Sequence, residues 1–325
     1  MRAVQITRLD GPSALEVVSI DEPAPDAGSV VIDVHVAGVT FPEVLQSRGQ
    51  YQLKPPLPFV PGSEVAGVVR SGPGFAAGLR VAAFPGLGGF AEVVAVDPGS
   101  VFPLPDSVSF AAGAALPMNY LTVHFGLVRR GRLREGETVL VHGAAGGVGT
   151  AAVQLASALG ARVIAVVSSS DKAGTAKAAG AQDVVPADGF KDAVKELTGG
   201  RGVDLVVDPV GGDRFTDSLR SLAREGRLLV VGFTGGEIPQ VKVNRLLLNN
   251  ISVVGVGWGA FWTAQPGYLQ EQWAQLLPLI SAGKLDPVLG RTFPLAEAGR
   301  ALSELDERRA TGKILLSVRQ PAGEG

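Results

Sequence analysis

The clearest chemical signal is the stretch Gly143-Ala144-Ala145-Gly146-Gly147-Val148-Gly149. It follows an apolar run, Thr138-Val139-Leu140-Val141-His142, and leads into an Ala-rich segment with helical spacing, Gly147 to Leu159. Set against the pattern G-x-G-x-x-G, Ala144 replaces the first glycine, and Gly146 and Gly149 are the second and third. A strand, glycine loop and helix in this order serve a tight turn, close backbone approach to a pyrophosphate, and close packing of helix on strand. The helix offers unpaired N–H groups and the positive end of its dipole to phosphate. Ala145, Gly146, Gly147, Val148 and Gly149 are therefore expected to cradle the phosphates of a dinucleotide.

The next strand, Arg162 to Val167, ends in Ser168-Ser169-Ser170, followed by Asp171-Lys172. NAD-preferring sites usually carry an acidic residue at that strand end, where it binds the ribose 2′-hydroxyl. Small hydroxyls leave room for a 2′-phosphate, and Lys172 adds a positive charge. Asp171 falls beyond the strand end, near a helix N-cap. Ser169, Ser170 and Lys172 are expected to hold the 2′-phosphate, and the predicted cofactor is NADPH.

The sequence offers few metal ligands. There is no cysteine, and the three histidines, His35, His124 and His142, lie in separate segments without ligand spacing. All three read as structural, with contact to cofactor phosphate as the alternative for His142. No metal site is expected.

These residues need a scaffold. At a soft prior of about 150 residues per domain, a chain of 325 residues holds about two domains. It is 46% hydrophobic and 18% charged, with 44 Gly and 22 Pro spread along it. That composition excludes a disordered tail protein, a coiled coil and a fibrous protein. A net charge of −2 argues against a nucleic-acid partner. The one basic cluster, Arg129, Arg130, Arg132 and Arg134, runs straight into Glu135 and Glu137 and reads as a solvated turn. No apolar run approaches the ~18 residues that span a bilayer, and no signal peptide is read at the N-terminus. A cytoplasmic protein without a membrane partner is expected.

Up to about residue 120 the chain consists of short β-branched runs broken by Gly and Pro, such as Val30 to Val36, Glu64 to Val69 and Phe90 to Val96. That is the texture of an irregular β domain. From about residue 136, six strand runs alternate with helical segments, among them helices near Asp171 to Ala179, Phe190 to Leu197 and Arg214 to Leu222 and the strand run Val203 to Asp208, which argues for a parallel sheet covered on both faces. The sixth run, Ile251 to Val256, is apolar on both faces and ends the sheet, an edge that invites pairing.

The segment Val139 to Gly149 resembles the medium-chain dehydrogenase/reductase superfamily, and more narrowly its zinc-independent quinone oxidoreductase branch. The resemblance covers nearly the whole chain. It includes Ala37 to Phe41, Pro61 to Gly67, Tyr120 to Thr122 and Arg309 to Lys313. Gly62-Ser63-Glu64 stands where zinc-dependent relatives carry Gly-His-Glu.

The resemblance implies an α/β fold, with a Rossmann doubly wound parallel sheet at 123–258. A chaperonin-10-like β-barrel substrate domain would occupy 1–122, and 259–325 would return to it. The substrate cleft would lie between the two domains. Thr40 stands where many relatives have Asn beside the nicotinamide, and Phe41 would line the cleft. Leu45 replaces a Tyr found in some relatives. Tyr51 nearby either lines the substrate or simply packs. Asn119, Thr122, Gly232, Phe233, Val256, Gly257 and Trp258 would lie along the cofactor. Arg309 and Lys313 would reach it, or else are ordinary surface charge. The aromatic cluster Trp258, Phe261 and Trp262 is either packing or a wall of the acceptor pocket.

The resemblance further implies a C₂ homodimer through the sixth strand. The expected function is NADPH-dependent hydride delivery to a small-molecule quinone or enone. An enoyl-thioester reductase and a non-catalytic NADPH-binding protein are the alternatives.

Overall fold

The computed structural model describes residues 1–24 and 28–319. Two compact units emerge. One comprises Met1–Met118, Gly267–Ala274 and Leu289–Gly325, the other Asn119–Pro266 and Gln275–Val288. The boundary expected at residue 122 therefore falls at Met118, so Asn119 and Thr122 belong to the second unit. Residues 259–266 and 275–288, expected in the first unit, also belong to the second.

The first unit opens with an antiparallel ribbon of β1 (Arg2–Ile6) and β2 (Leu15–Ser19). Its main sheet is built from β3 (Val30–Gly38), β4 (Glu64–Ser71), β5 (Arg80–Ala83), β6 (Val93–Val96) and β7 (Val101–Pro103). β3 pairs with both β4 and β6, antiparallel. The β3–β4 register shifts between Val34 and Val36, a bulge. Gly67 sits opposite, where a Cβ would lie 2.0 Å from the Asp33 carbonyl oxygen, so only glycine lets the two strands close there. Inward-facing Val30, Ile32, Val34, Val65, Val81 and Phe90 form a core with the apolar side chains of the C-terminal segment.

The second unit carries β8 (Thr138–Val141), β9 (Arg162–Val167), β10 (Asp183–Pro186), β11 (Val203–Asp208), β12 (Leu222–Val230) and β13 (Ser252–Gly255). All pairs are parallel, in the order β10-β9-β8-β11-β12-β13. That is the doubly wound nucleotide-binding order, which reverses beside the first strand. Strands in such a sheet are covered on both faces, which is why β8 and β9 read as continuous apolar runs. The chain then returns to the first unit with β14 (Leu289–Pro294) and β15 (Lys313–Ser317), and β15 pairs with β3.

Two sequence expectations shift. The helix expected from Arg214 to Leu222 ends at Arg220, because Leu222 already pairs with Val203 and starts β12. The helix expected from Asp171 begins at Ala173, after a 3₁₀ turn at Ser170–Lys172. Among the described residues β13 is the edge of the sheet and pairs only with β12. Near it in sequence, the helix Asn244–Asn249 exposes Leu247 and Leu248 at 75% and 76%. Among the described residues no helix is long and apolar enough to cross a membrane.

Candidate active site

In the second unit, β8 delivers the chain to the glycine loop, and the helix Gly147–Ala158 leaves it. Ala144 is buried, and its N–H donates to the Val166 carbonyl on β9 at 3.2 Å, tying the loop to the sheet. A Cβ on Gly149 would fall 2.1 Å from the Gly143 oxygen, so the helix packs this close only with glycine there. A Cβ on Gly147 would fall 2.6 Å from Asn119 Nδ2, so glycine also makes room for the buried Asn119 amide over the helix start. Gly146 caps the helix in extended conformation with no side-chain hydrogen bond, and the first turn holds no acidic residue. The first amides of a helix have no acceptor within it. Uncapped amides, a positive dipole end and glycine-only packing fit the pyrophosphate of a dinucleotide.

His142, just before the loop, is fully buried. The Ser218 hydroxyl donates to the Arg214 carbonyl at 2.9 Å, so it accepts from His142 Nε2–H at 2.8 Å. The ring meets Phe190 edge-on at 4.9 Å. Burial pushes its pKa down to about 4, so the imidazole is neutral. His142 is thus oriented by Ser218 and Phe190, in keeping with its structural reading.

Beyond β9, Ser168, Ser169 and Ser170 are exposed, and Lys172 is half-exposed. The Ser169 hydroxyl donates to Asp171. That bond is the first cause holding the exposed Asp171 carboxyl below its ordinary range, ahead of the amides of Asp171 and Lys172. A 2′-phosphate here shares Ser169 with Asp171. Gly232 and the 37%-exposed Phe233 follow β12. After β13, Val256 and Trp258 are buried, and Gly257 precedes the short helix Trp258–Trp262. Arg130 Nε donates to the Gly255 carbonyl at 2.9 Å, and the Arg129 guanidinium stacks 4.4 Å from the Phe261 ring centre. Phe261 also packs on Phe125, and Trp258 on Trp262, so the aromatic cluster is at least partly a packing cluster.

The first unit contributes a different arrangement. Thr40 and Glu43 form a capping box on the helix Phe41–Ser47. The buried Glu43 carboxylate accepts from Thr40 N at 2.7 Å and from the Thr40 hydroxyl. Its other oxygen accepts from Ser63 N at 3.0 Å and from the Ser63 hydroxyl at 2.7 Å. Four donors satisfy one buried carboxylate. Both hydroxyl protons are spent, so Thr40 and Ser63 can offer only lone pairs elsewhere. Glu43 was not singled out in the sequence, although Thr40-Phe41-Pro42-Glu43 carries the readable T-x-x-E signature. Tyr51 is half-buried, and burial, then the charge of Glu43, holds its phenol above the ordinary tyrosine range.

Next to Ser63 in sequence, Glu64 is completely buried and paired with the buried Lys313. Burial pushes the Glu64 carboxyl up, against the pull of Lys313 and of the Met118 N–H, which donates at 2.7 Å. This corrects the expectation for Lys313. Its ammonium is neither surface charge nor held out to a cofactor, because a carboxylate buried beside it claims it. Arg309 is an exposed side chain paired with its neighbour Glu307. Among the described residues, no three His, Cys, Asp or Glu side chains are grouped to hold a metal.

Residues 26–106 match the family model for the alcohol dehydrogenase GroES-like domain, and residues 147–282 the model described as zinc-binding dehydrogenase. The quinone oxidoreductase-like protein 2 of Bos taurus is 38% identical over 325 residues, covering 98% of this chain and 93% of that protein. The chain belongs to the zinc-independent quinone oxidoreductase branch of the medium-chain dehydrogenase/reductase superfamily. Solved members of this superfamily match this fold over its length. A probable oxidoreductase from Mycobacterium abscessus aligns with a TM-score of 0.90 at 46% identity, covering 98% of this chain and 99% of that one. The quinone oxidoreductase from Thermus thermophilus, solved also as its complex with NADPH, aligns with a TM-score of 0.86 at 37% identity, covering 98% and 100%. For the branch, the GroES-like unit and the parallel-sheet unit are the two expected parts.

Proposed function

We propose that this reductase binds NADPH and delivers hydride to a quinone or an α,β-unsaturated carbonyl acceptor without zinc. The observation that carries the reading is the glycine loop, an uncapped helix N-terminus approached so closely by the main chain that only glycine fits at 149. The amides at the start of this helix bind the pyrophosphate. Ser169, Ser170 and Lys172 bind the 2′-phosphate, and Asn119, Thr122 and the segment Val256–Trp258 lie along the nicotinamide end. The bound dihydronicotinamide supplies the hydride, and a conjugated acceptor takes up the electron pair without a Lewis acid. Ser63 replaces the family's zinc-binding histidine, and its hydroxyl is already committed to Glu43, which supports zinc-free chemistry. Thr40 is committed in the same way. Tyr51 keeps its proton at neutral pH and is the hydroxyl able to donate one to an acceptor oxygen. Cytoplasmic residence accords with the absence of cysteine.

The assembly is proposed as a C₂ dimer through β13, whose free edge invites a mate near the exposed Leu247 and Leu248. Replacing Val253 with Pro removes a ladder donor, and light scattering should then find monomer or aggregate in place of dimer. A parent protein that is monomeric at micromolar concentration overturns the dimer. For the activity, NADPH oxidation is followed with quinones, enones and enoyl thioesters, alongside elemental analysis. Turnover with quinones or enones by zinc-free protein is the expected result. Turnover confined to enoyl thioesters, or one zinc per chain lost together with activity, overturns the proposal.

A further inference from the structure

The arginines read in the sequence as a solvated turn line one wall of a cleft of about 530 Å³ within the second unit. Its lining includes Arg129, Arg130, Arg132, Arg134, Arg224 and Arg227. Three carboxylates share the lining, Glu137, Asp204 and Glu225. Six guanidiniums against three acids make a positive cleft in a chain whose net charge is −2.

Two of those acids are already consumed. Arg227 donates five hydrogen bonds. Two go to Glu137 at 2.8 and 2.6 Å, and the others to the carbonyls of Gly131, Arg132 and Asp204 at 2.6, 3.2 and 3.1 Å. Asp204 accepts both terminal nitrogens of Arg201 at 2.7 Å, and the Thr138 N–H at 2.8 Å. Arg227 therefore acts as a brace that fixes the Arg-rich loop to the sheet. Among the described residues the side chains of Arg132, Arg134 and Arg224 have no hydrogen bond or ion pair, and only Glu225 remains to offset them. Like charges gathered this way repel one another at close range, and a bound anion relieves that repulsion.

The backbone gives a second, independent sign. Four non-glycine residues among those described have positive φ, and two of them, Arg132 at 48° and Glu225 at 62°, line this cleft. Such conformations cost energy for an L-residue and gather at binding sites where they aim side chains. The cleft lies at the N-terminal ends of β8 and β11, whereas the glycine loop follows the C-terminal end of β8. It is therefore not the cofactor site.

We propose that this cleft is a binding site for a compact polyphosphate anion, one with at least two phosphoryl groups, held by Arg132, Arg134 and Arg224 on the scaffold braced by Arg227. The volume lies within the range of small-molecule sites. Val254 is its only large apolar lining residue, so the cleft lacks the platform a nucleobase needs and selects charge over stacking. Planar guanidiniums suit phosphate oxygens through paired N–H donors.

The test is calorimetric titration of the full-length protein with inorganic tripolyphosphate at low salt, with and without saturating NADPH. Saturable binding that weakens with added salt is expected, unchanged by NADPH and at least about tenfold tighter than for orthophosphate. In the double variant Arg132→Asn/Arg224→Gln, binding should weaken by about tenfold or more, while NADPH affinity and the melting temperature stay as in the parent. Asn tolerates the positive φ at 132, and neither replaced side chain has a partner to lose. Competition between tripolyphosphate and NADPH would place the anion at the glycine loop and overturn the proposal. Equal affinity in parent and variant would overturn it as well. So would saturable binding of a single-stranded oligonucleotide with none of tripolyphosphate, because the cleft would then be serving a nucleic-acid backbone.

Discussion

At the glycine loop the open groups are main-chain amides, and the loop's own side chains are small, hydrogens and methyls apart from Val148. Around Glu43 and Glu64 the reverse holds, because carboxylates bind the main chain and neighbouring side chains and fill the interior with charge. The loop's neighbour His142 is buried as deeply as Glu64, yet it stays neutral where Glu64 is paired with Lys313. At this loop the donors left open belong to the main chain, with no acidic side chain in the first helical turn to compete for them. A region whose donors and acceptors satisfy one another holds its shape without a ligand. Substitutions in the two regions should therefore fail in different ways, the first through binding and the second through stability.

The largest effect is expected at the buried pair. Replacing Lys313 with Met strands the Glu64 carboxyl in the interior and should cost about 3–5 kcal/mol of unfolding free energy, read by urea denaturation. Adding Glu64→Gln to that variant should restore much of the loss, and an unimproved double variant would show that the pair is not the source. At the loop, Gly149→Ala sets a Cβ 2.1 Å from a carbonyl oxygen. Because the obstacle is backbone, the cost should reach the ~3 kcal/mol upper end of ordinary overpacking. NADPH affinity, titrated by fluorescence, should fall more steeply than stability does.

His142 tests the neutral interior through pH. Its folded pKa of about 4 lies below the ordinary 6.5, so the unfolded chain takes up the proton first as pH falls. Its contribution is complete above pH 6.5 and is lost progressively down to about pH 4, where the loss amounts to about 3 kcal/mol. The difference in unfolding free energy between the parent and His142→Gln should shrink by that amount between pH 7 and pH 4. A constant difference would show that the ring is not held neutral. The smallest effect is at the 2′-phosphate. Lys172→Ala should weaken NADPH by roughly 1.5–3 kcal/mol, about ten- to a hundredfold, and NADH much less. Equal losses for both cofactors would remove Lys172 from the phosphate contact.

Much of this was legible in the residues. The alternation of apolar runs with Ala-rich helical segments placed all six parallel strands, because strands covered on both faces have no polar alternation to hide them. Val203–Asp208 and Phe190–Leu197 have the bounds read from the sequence. The glycine loop was legible because its demands are local, a turn and a close approach within a few residues. Thr40-Phe41-Pro42-Glu43 is equally local, a T-x-x-E capping signature, but that Glu43 also binds Ser63 depends on a distant segment. Less legible was what depends on distant partners. Nothing near Lys313 in sequence announces Glu64, and nothing around Leu222 announces that Val203 will draw it into β12.

The sequence by itself determined the α/β class of the second unit, the succession of its strands along the chain and the glycine loop. Periodicity and glycine placement are properties of neighbouring residues, and they act before the chain is folded. Only the tertiary structure decided the fate of the charges. Whether Lys313 meets a carboxylate or a cofactor, whether the Thr40 proton is free or spent on Glu43, and whether an arginine-rich turn is mere solvated surface or the wall of a cleft all depend on what burial places beside each group. A charge is worth little in water and a great deal in a protein interior, so the same residue types take on different roles once the chain has closed around them.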